Sequence, residues 1–163
     1  KVTASTAIYT LSLHAALPIW LVITLQQEVA QRLSVGPGSP DYGPLTLIVR
    51  HRYVPVASFN IPGSCFFPPP KVTTTCLALD RRPGTGRSAS DRRTFERLVR
   101  GAFGQRRKMM LKLLKPMCDG SVLRRAFDRL GISETCRAES IDLATFEDLA
   151  RILNSSGADA GRA

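Results

Sequence analysis

The sequence predicts an α/β segment followed by an all-α segment, and three observations carry that reading. A continuous apolar run, Trp20 to Leu25, has strand length and leads directly into a helical stretch. Two further β-type runs follow, Val54 to Asn60 and Val72 to Asp80. From Ser90 onward the apolar residues switch to helical spacing.

Each element has its own signal. Trp20 to Leu25 has no charged residue to mark a solvent face, which suits a strand buried on both faces of a parallel sheet. "QQEVAQRL", Gln26 to Leu33, is helical, and "SVGPGSPDYG" is a turn region rich in Gly, Pro and Ser. Leu45 to Tyr53 reads both ways: Thr, Ile and Val favour a strand, yet Leu45, Ile48 and Val49 fall at i, i+3, i+4. The strands Val54 to Asn60 and Val72 to Asp80 are joined by "IPGSCFFPPPK", whose prolines cannot donate to a ladder. Arg81 to Ser90 is a Gly, Ser and Arg linker.

Beyond it, Phe95, Leu98, Val99, Ala102 and Phe103 make one apolar stripe, and a second helix runs from Gln105 until Pro116 stops it. Ser121 to Leu130 forms a third, closed by Gly131. In the fourth, Asp142 caps the N-terminus, Ile141 and Phe146 form a hydrophobic staple, and Leu149, Ala150 and Leu153 extend the stripe. From Asn154 onward the residues are small and polar, so 155–163 is expected to fray. The organisation is therefore a sheet-containing part over 20–80, a linker over 81–90 and a helical part over 91–154. With its own caps and stripes, the helical part is expected to hold without the sheet.

Charge sets the partner. The net charge is +10, and between Arg81 and Arg137 sixteen basic residues face five acids, so this third of the chain carries the whole excess. Such a surface suits a polyanion, because Lys and Arg release counterions when they neutralise phosphates. Cys65, Cys76, Cys118 and Cys136 lack C-x-x-C spacing and read as reduced thiols of a cytoplasmic protein, with no metal site. No P-loop, H-E-x-x-H or G-x-S-x-G occurs. "VGPGSPDYG" follows a helix rather than leaving a strand, so it is a turn and not a nucleotide loop.

"CFFPPPKVTTTCLAL" places a Phe, three prolines and Lys71 ahead of a strand. Physics alone would pack that Phe at a Pro-rich corner, though a rigid loop with an aromatic ring at a strand end also suits stacking on an extruded base. "LQQEVAQRL", "GSPDYG", "FFPPPKV", "FGQRRK" and "CRAESI" occur in order and approximate spacing over Leu21 to Leu153. Together these blocks resemble the C-terminal portion of the ribosomal RNA adenine dimethyltransferases, which doubly methylate adjacent adenosines of small-subunit rRNA.

The resemblance implies a Rossmann-like S-adenosylmethionine methyltransferase sheet, cut to its C-terminal part, followed by a small helical RNA-binding domain. It implies a helix over Tyr42 to Tyr53, stacking of Phe66 on the target adenine, and RNA contacts from Lys71 and from Gln105, Arg106, Arg107 and Lys108 on a basic helix. "FNIPGS" is similar to the family type of Asn-x-Pro-aromatic motif, but Gly63 stands where the aromatic would be, so Asn60 is read as a strand end. Phe67 and Pro44 also depart from the family pattern, Pro44 standing where Arg is common. The implied partner is small-subunit rRNA or its 30S precursor, with no membrane and no stable protein partner.

The family's cofactor loop, ribose-binding acid and Asn-Leu-Pro-Tyr motif lie ahead of the position matching Leu21, and residues 1–20 do not supply them. The chain is therefore expected to be an inactive fragment that binds no S-adenosylmethionine, with an apolar strand edge left open at Trp20 to Leu25. "TLSLHAALPI", Thr10 to Ile19, resembles a translated sequencing adapter with Ala15 in place of Asp, so 1–19 is expected to be foreign to the family. Two other readings stay open: a macrolide-resistance type of large-subunit rRNA methyltransferase, and a non-catalytic RNA-binding or ribosome-assembly module.

Overall fold

The computed structural model describes residues 19–83 and 89–160, with side chains described for 19–83 and 90–155. The adapter-like segment, apart from Ile19, and residues 84–88 of the linker lie outside them.

The elements are β1 (Trp20–Gln26), α1 (Gln27–Ser34), α2 (Pro44–Arg50), β2 (Tyr53–Ile61), β3 (Thr74–Arg81), α3 (Ala89–Ala102), α4 (Met110–Leu114), α5 (Gly120–Arg129) and α6 (Leu143–Ala160). The three strands form one sheet in the order β1-β3-β2. Both pairings are antiparallel. Trp20 sits opposite Asp80 and Gln26 opposite Thr74. β1 is not covered on two faces: Trp20, Val22, Thr24 and Gln26 are exposed, and Leu25 on the other face is buried. The run is apolar because its outer positions happen to carry Trp and Val, a case that periodicity cannot separate from burial. β2 lies at the sheet edge, where Pro55 costs no ladder bond on a central strand, and the register slips between Pro55 and Ala57 to make a bulge.

The ambiguous segment is helical, though shorter than Tyr42 to Tyr53, since Tyr42 and Gly43 precede α2 and Tyr53 opens β2. Pro44 at the first turn presets its φ. Thr46 fixes the entry by donating its hydroxyl to the Arg32 carbonyl at 2.5 Å. Tertiary packing overrides β-propensity here because α2 serves two cores. Leu45 and Val49 pack on the sheet core of Leu25, Ala30, Leu33, Tyr53, Leu77 and Leu79. Leu47 and Ile48 pack on a second core built from Phe95, Leu98, Val99, Met110, Leu114, Leu123, Phe127, Phe146 and Leu149.

That second core is not built from the helical part alone. Tyr42 and Leu47 are buried within it, and the Tyr42 hydroxyl donates to the Ile141 carbonyl at 2.8 Å. Ion pairs tie the two parts further: Arg52 to Glu96 at 3.0 Å, and His51 and Arg82 to Glu147 at 2.9 and 2.6 Å.

Helix termini follow local chemistry. At α5 the Asp119 carboxylate accepts from the Ser121 and Val122 N–H groups. The same helix ends on Gly131 at φ 64°, where Ile132 N–H reaches the Phe127 carbonyl at 2.9 Å and Gly131 N–H reaches Asp128 at 3.1 Å. Asp142 accepts from Thr145 N–H at 2.8 Å, and Ile141 and Phe146 are both buried, as the staple requires.

Two boundaries differ from expectation. Gln105 to Lys108 is a turn rather than the start of a helix. Gly104 N–H bonds to Gly101, Lys108 N–H bonds to Gln105, and Met109 is extended at φ −63°, ψ 134° before α4 begins. Within this turn the Arg106 side chain makes contacts with distant residues. The tail also differs: α6 continues to Ala160 instead of ending at Asn154. Asn154 is anchored to α3 by bonds to Asp91 at 2.5 Å and Thr94 at 3.2 Å. The linker is likewise shorter than Arg81 to Ser90, since Arg81 belongs to β3 and Ala89 opens α3. All four cysteines are free, and no helix among the described residues is long and apolar enough to cross a membrane.

Candidate nucleic-acid interface

The loop between β2 and β3 presents the aromatic pair. A single tight turn over Gly63–Cys65 is closed by Cys65 N–H to Pro62 at 3.0 Å and Phe66 N–H to Gly63 at 3.1 Å. Phe66 then leaves the turn extended, at φ −121°, ψ 149°, and three prolines carry the chain on to Lys71. The two rings differ: Phe67 is wholly exposed, whereas Phe66 is partly covered, at 37 % exposed. Asn60, Ile61, Pro62, Gly63, Pro70 and Lys71 border a cleft of about 290 Å³ beside this loop. The Asn60 side-chain oxygen accepts from the Thr75 hydroxyl at 2.8 Å, so Asn60 fastens β2 to β3, as a strand-end residue would. Phe67, which departs from the family pattern, is the more available ring.

The basic block divides by role. Gln105, Arg107 and Lys108 are exposed. Arg106 is also exposed, but has protein partners: its guanidinium donates to Glu139 at 3.1 Å, to the Tyr42 carbonyl at 3.3 Å and to the Pro40 carbonyl. Together with Gly38 N–H to the Glu139 carbonyl at 2.8 Å, it pins the "GSPDYG" turn to the "CRAESI" turn. These quoted blocks therefore meet in space. Lys71 is exposed on the separate Pro-rich loop.

Missing from the sequence reading is the cluster under α2. His51 stacks on Phe95 at 4.1 Å between ring centroids, and its Nδ1 lies 2.9 Å from the buried Glu147 carboxylate, which Arg82 also reaches. His51 and Glu147 are 96 residues apart, so no local spacing signals the pair. Several groups are shifted. Burial pushes the Tyr42 phenol up to about 12, the Asp142 charge adding to it and Arg50 opposing. The Thr145 hydroxyl and then its N–H hold Asp142 below the usual carboxylate range. The Ser121 hydroxyl, followed by the Ser121 and Val122 N–H groups, does the same for Asp119. No group of His, Cys, Asp and Glu among the described residues could hold a metal ion.

The family model described as Ribosomal RNA adenine dimethylase matches residues 3–155. The chain belongs to that family. The match begins ahead of Leu25, where the first quoted block starts. The Ribosomal RNA small subunit methyltransferase A of Caldanaerobacter subterraneus subsp. tengcongensis is 37 % identical over 134 residues, which is 82 % of this chain and 50 % of the relative. The protein of the same name from Rhodospirillum rubrum is 38 % identical over 144 residues, 88 % of this chain and 49 % of the relative. The chain thus spans about half the length of the relatives it matches. Among solved structures, a dimethyladenosine transferase from Plasmodium falciparum superposes with a TM-score of 0.80 at 22 % identity, covering 94 % of this chain and 65 % of that one. The 23S rRNA methyltransferase ErmE superposes at 0.62 and 19 % identity, covering 92 % and 61 %. The fold of this chain is thus shared with these rRNA and adenosine methyltransferase structures.

Proposed function

We propose that these residues form the RNA-engaging part of a small-subunit rRNA adenine N6,N6-dimethyltransferase acting in ribosome biogenesis in the cytoplasm, with 20–80 the methyltransferase-domain portion and 91–154 the helical domain. The observation that carries the reading is the exposed aromatic loop, Phe66 and Phe67 ahead of three prolines and Lys71, in a chain of the adenine dimethylase family. An adenine N6 amine is a weak nucleophile because its lone pair is delocalised into the ring, so catalysis depends on holding the base out of the stack in a fixed orientation. Phe66 stacks on that base from a loop stiffened by prolines. Lys71, Gln105, Arg107 and Lys108 hold the RNA strand, while Arg106 acts by fixing the turn that carries its neighbours.

S-adenosylmethionine is the methyl donor of the proposed reaction, but the described residues do not fit it. Binding such a cofactor takes a glycine-rich loop leaving the carboxyl end of a parallel strand and opening a helix. Here every strand pairing is antiparallel, and β1 runs directly into α1 without a loop.

A second reading, methylation of large-subunit rRNA, is favoured by the fold shared with the 23S rRNA methyltransferase. Co-sedimentation of the chain with unmethylated small-subunit particles and with large-subunit particles separates the two. Retention on small subunits is the expected result, and retention on large subunits alone would overturn the proposal in favour of the second reading.

A further inference from the structure

α3 turns Phe95, Leu98, Val99 and Ala102 into the helical core. Arg93, Arg97 and Arg100 stand on the opposite side: at about 100° per residue they fall within an arc of about 60°, roughly 180° from the apolar stripe, and span about 10 Å along the axis. All three are exposed. Among the described residues no carboxylate pairs with any of them, whereas Arg52, Arg106, Arg124, Arg137 and Arg151 all have acidic partners. The acids of α3 itself are committed elsewhere, Asp91 to Asn154 and Glu96 to Arg52. Arg92 and Arg93 also lie close to the start of the helix, where a positive charge opposes the macrodipole. Arg100, in the last turn, suits the macrodipole, so Arg93 and Arg97 are the two whose charge the helix itself does not use.

We infer that the Arg93, Arg97 and Arg100 ridge is a phosphate-binding surface for RNA, separate from the Phe66 loop and from the 105–108 turn. The inference rests on the RNA reading above. Guanidinium groups projected at successive turns of one helix face suit the phosphates of a single RNA strand, contacted without base recognition. A membrane surface is the weaker match, because the ridge side of α3 exposes no large apolar side chain that could enter a bilayer.

Fluorescence anisotropy of a labelled hairpin RNA with the full chain, titrated across salt concentrations, tests it. Each lost phosphate contact flattens the log–log salt slope by about 0.7 to 0.9, so R93Q/R97Q/R100Q should lower the slope by about two and weaken binding about fiftyfold near 0.15 M salt. Its thermal melt should match the parent's, since the side chains are exposed. Wild-type affinity and slope in the triple variant, with loss in R107Q/K108Q, would overturn the ridge and leave the RNA reading standing. No RNA binding by the parent chain would overturn both. Parent binding to anionic vesicles but not to RNA would replace the ridge's partner and overturn the proposal.

Discussion

Leu47→Ala probes how the two cores depend on each other. Leu47 belongs to α2, between the strands, yet its side chain is 1 % exposed within the helical core that also holds Tyr42 and Phe146. Truncation removes a buried isobutyl group and leaves a cavity among residues from both parts of the chain, a loss of about 3 kcal/mol within the 2–5 range for such sites. That is a large share of the roughly 5–15 kcal/mol that holds a domain together. Native-state hydrogen exchange read by mass spectrometry is the assay. Amides of α5 and α6, which make no backbone bond to α2, should exchange about a hundredfold faster, in step with those of β3. If α5 and α6 keep their protection while β1 to β3 lose theirs, the helices are autonomous and the account of a shared core is wrong.

Tyr42→Phe removes the hydroxyl bonded to Ile141 and should cost about 1 kcal/mol in urea melts. The folded phenol at about 12 lies above the unfolded value of about 10, so this group's contribution is complete below pH 10 and is lost as pH rises from about 10 to about 12. The variant should lack that component of the alkaline decline, and an identical decline would discount Tyr42. Asp142→Ala deletes the α6 cap and should cost about 1 kcal/mol. Because the folded carboxylate is shifted down, its stabilisation is present above about pH 4 and fades as pH falls below that, so acid melts of the variant should be flatter than the parent's. Glu147→Ala withdraws the buried carboxylate from His51 and Arg82 and should cost about 3–5 kcal/mol, a drop in Tm of many degrees by calorimetry. A wild-type melt would show that the cluster is solvated.

Elements governed by neighbours in the chain were legible. The Asp142 cap, the Ile141 and Phe146 staple and the Gly131 stop all stand where local chemistry put them. Elements governed by distant partners were not. Nothing near Gln105 to Lys108 reveals that Glu139 and the Pro40 and Tyr42 carbonyls hold Arg106. Likewise α6 extends past Asn154, whose polar side chain looked like the start of a tail until Asp91 and Thr94 gave it partners on α3. At the candidate site, the Pro-rich loop and its exposed aromatics were readable as a motif. The cluster of His51, Glu147 and Arg82 under α2 has no motif at all.

The central claim is that this chain holds a target adenine and its RNA for methylation. The most direct test joins residues 20–163 to the half of the Caldanaerobacter relative that they do not match, then quantifies N6,N6-dimethyladenosine in unmethylated small-subunit rRNA by mass spectrometry of the nucleosides. Two methyl groups per modified adenosine are predicted, with Phe66→Ala cutting turnover about tenfold or more, as loss of one stacking platform implies, while cofactor affinity stays unchanged. A folded, cofactor-binding hybrid that leaves the adenosines unmodified, or that is indifferent to Phe66→Ala, would contradict it.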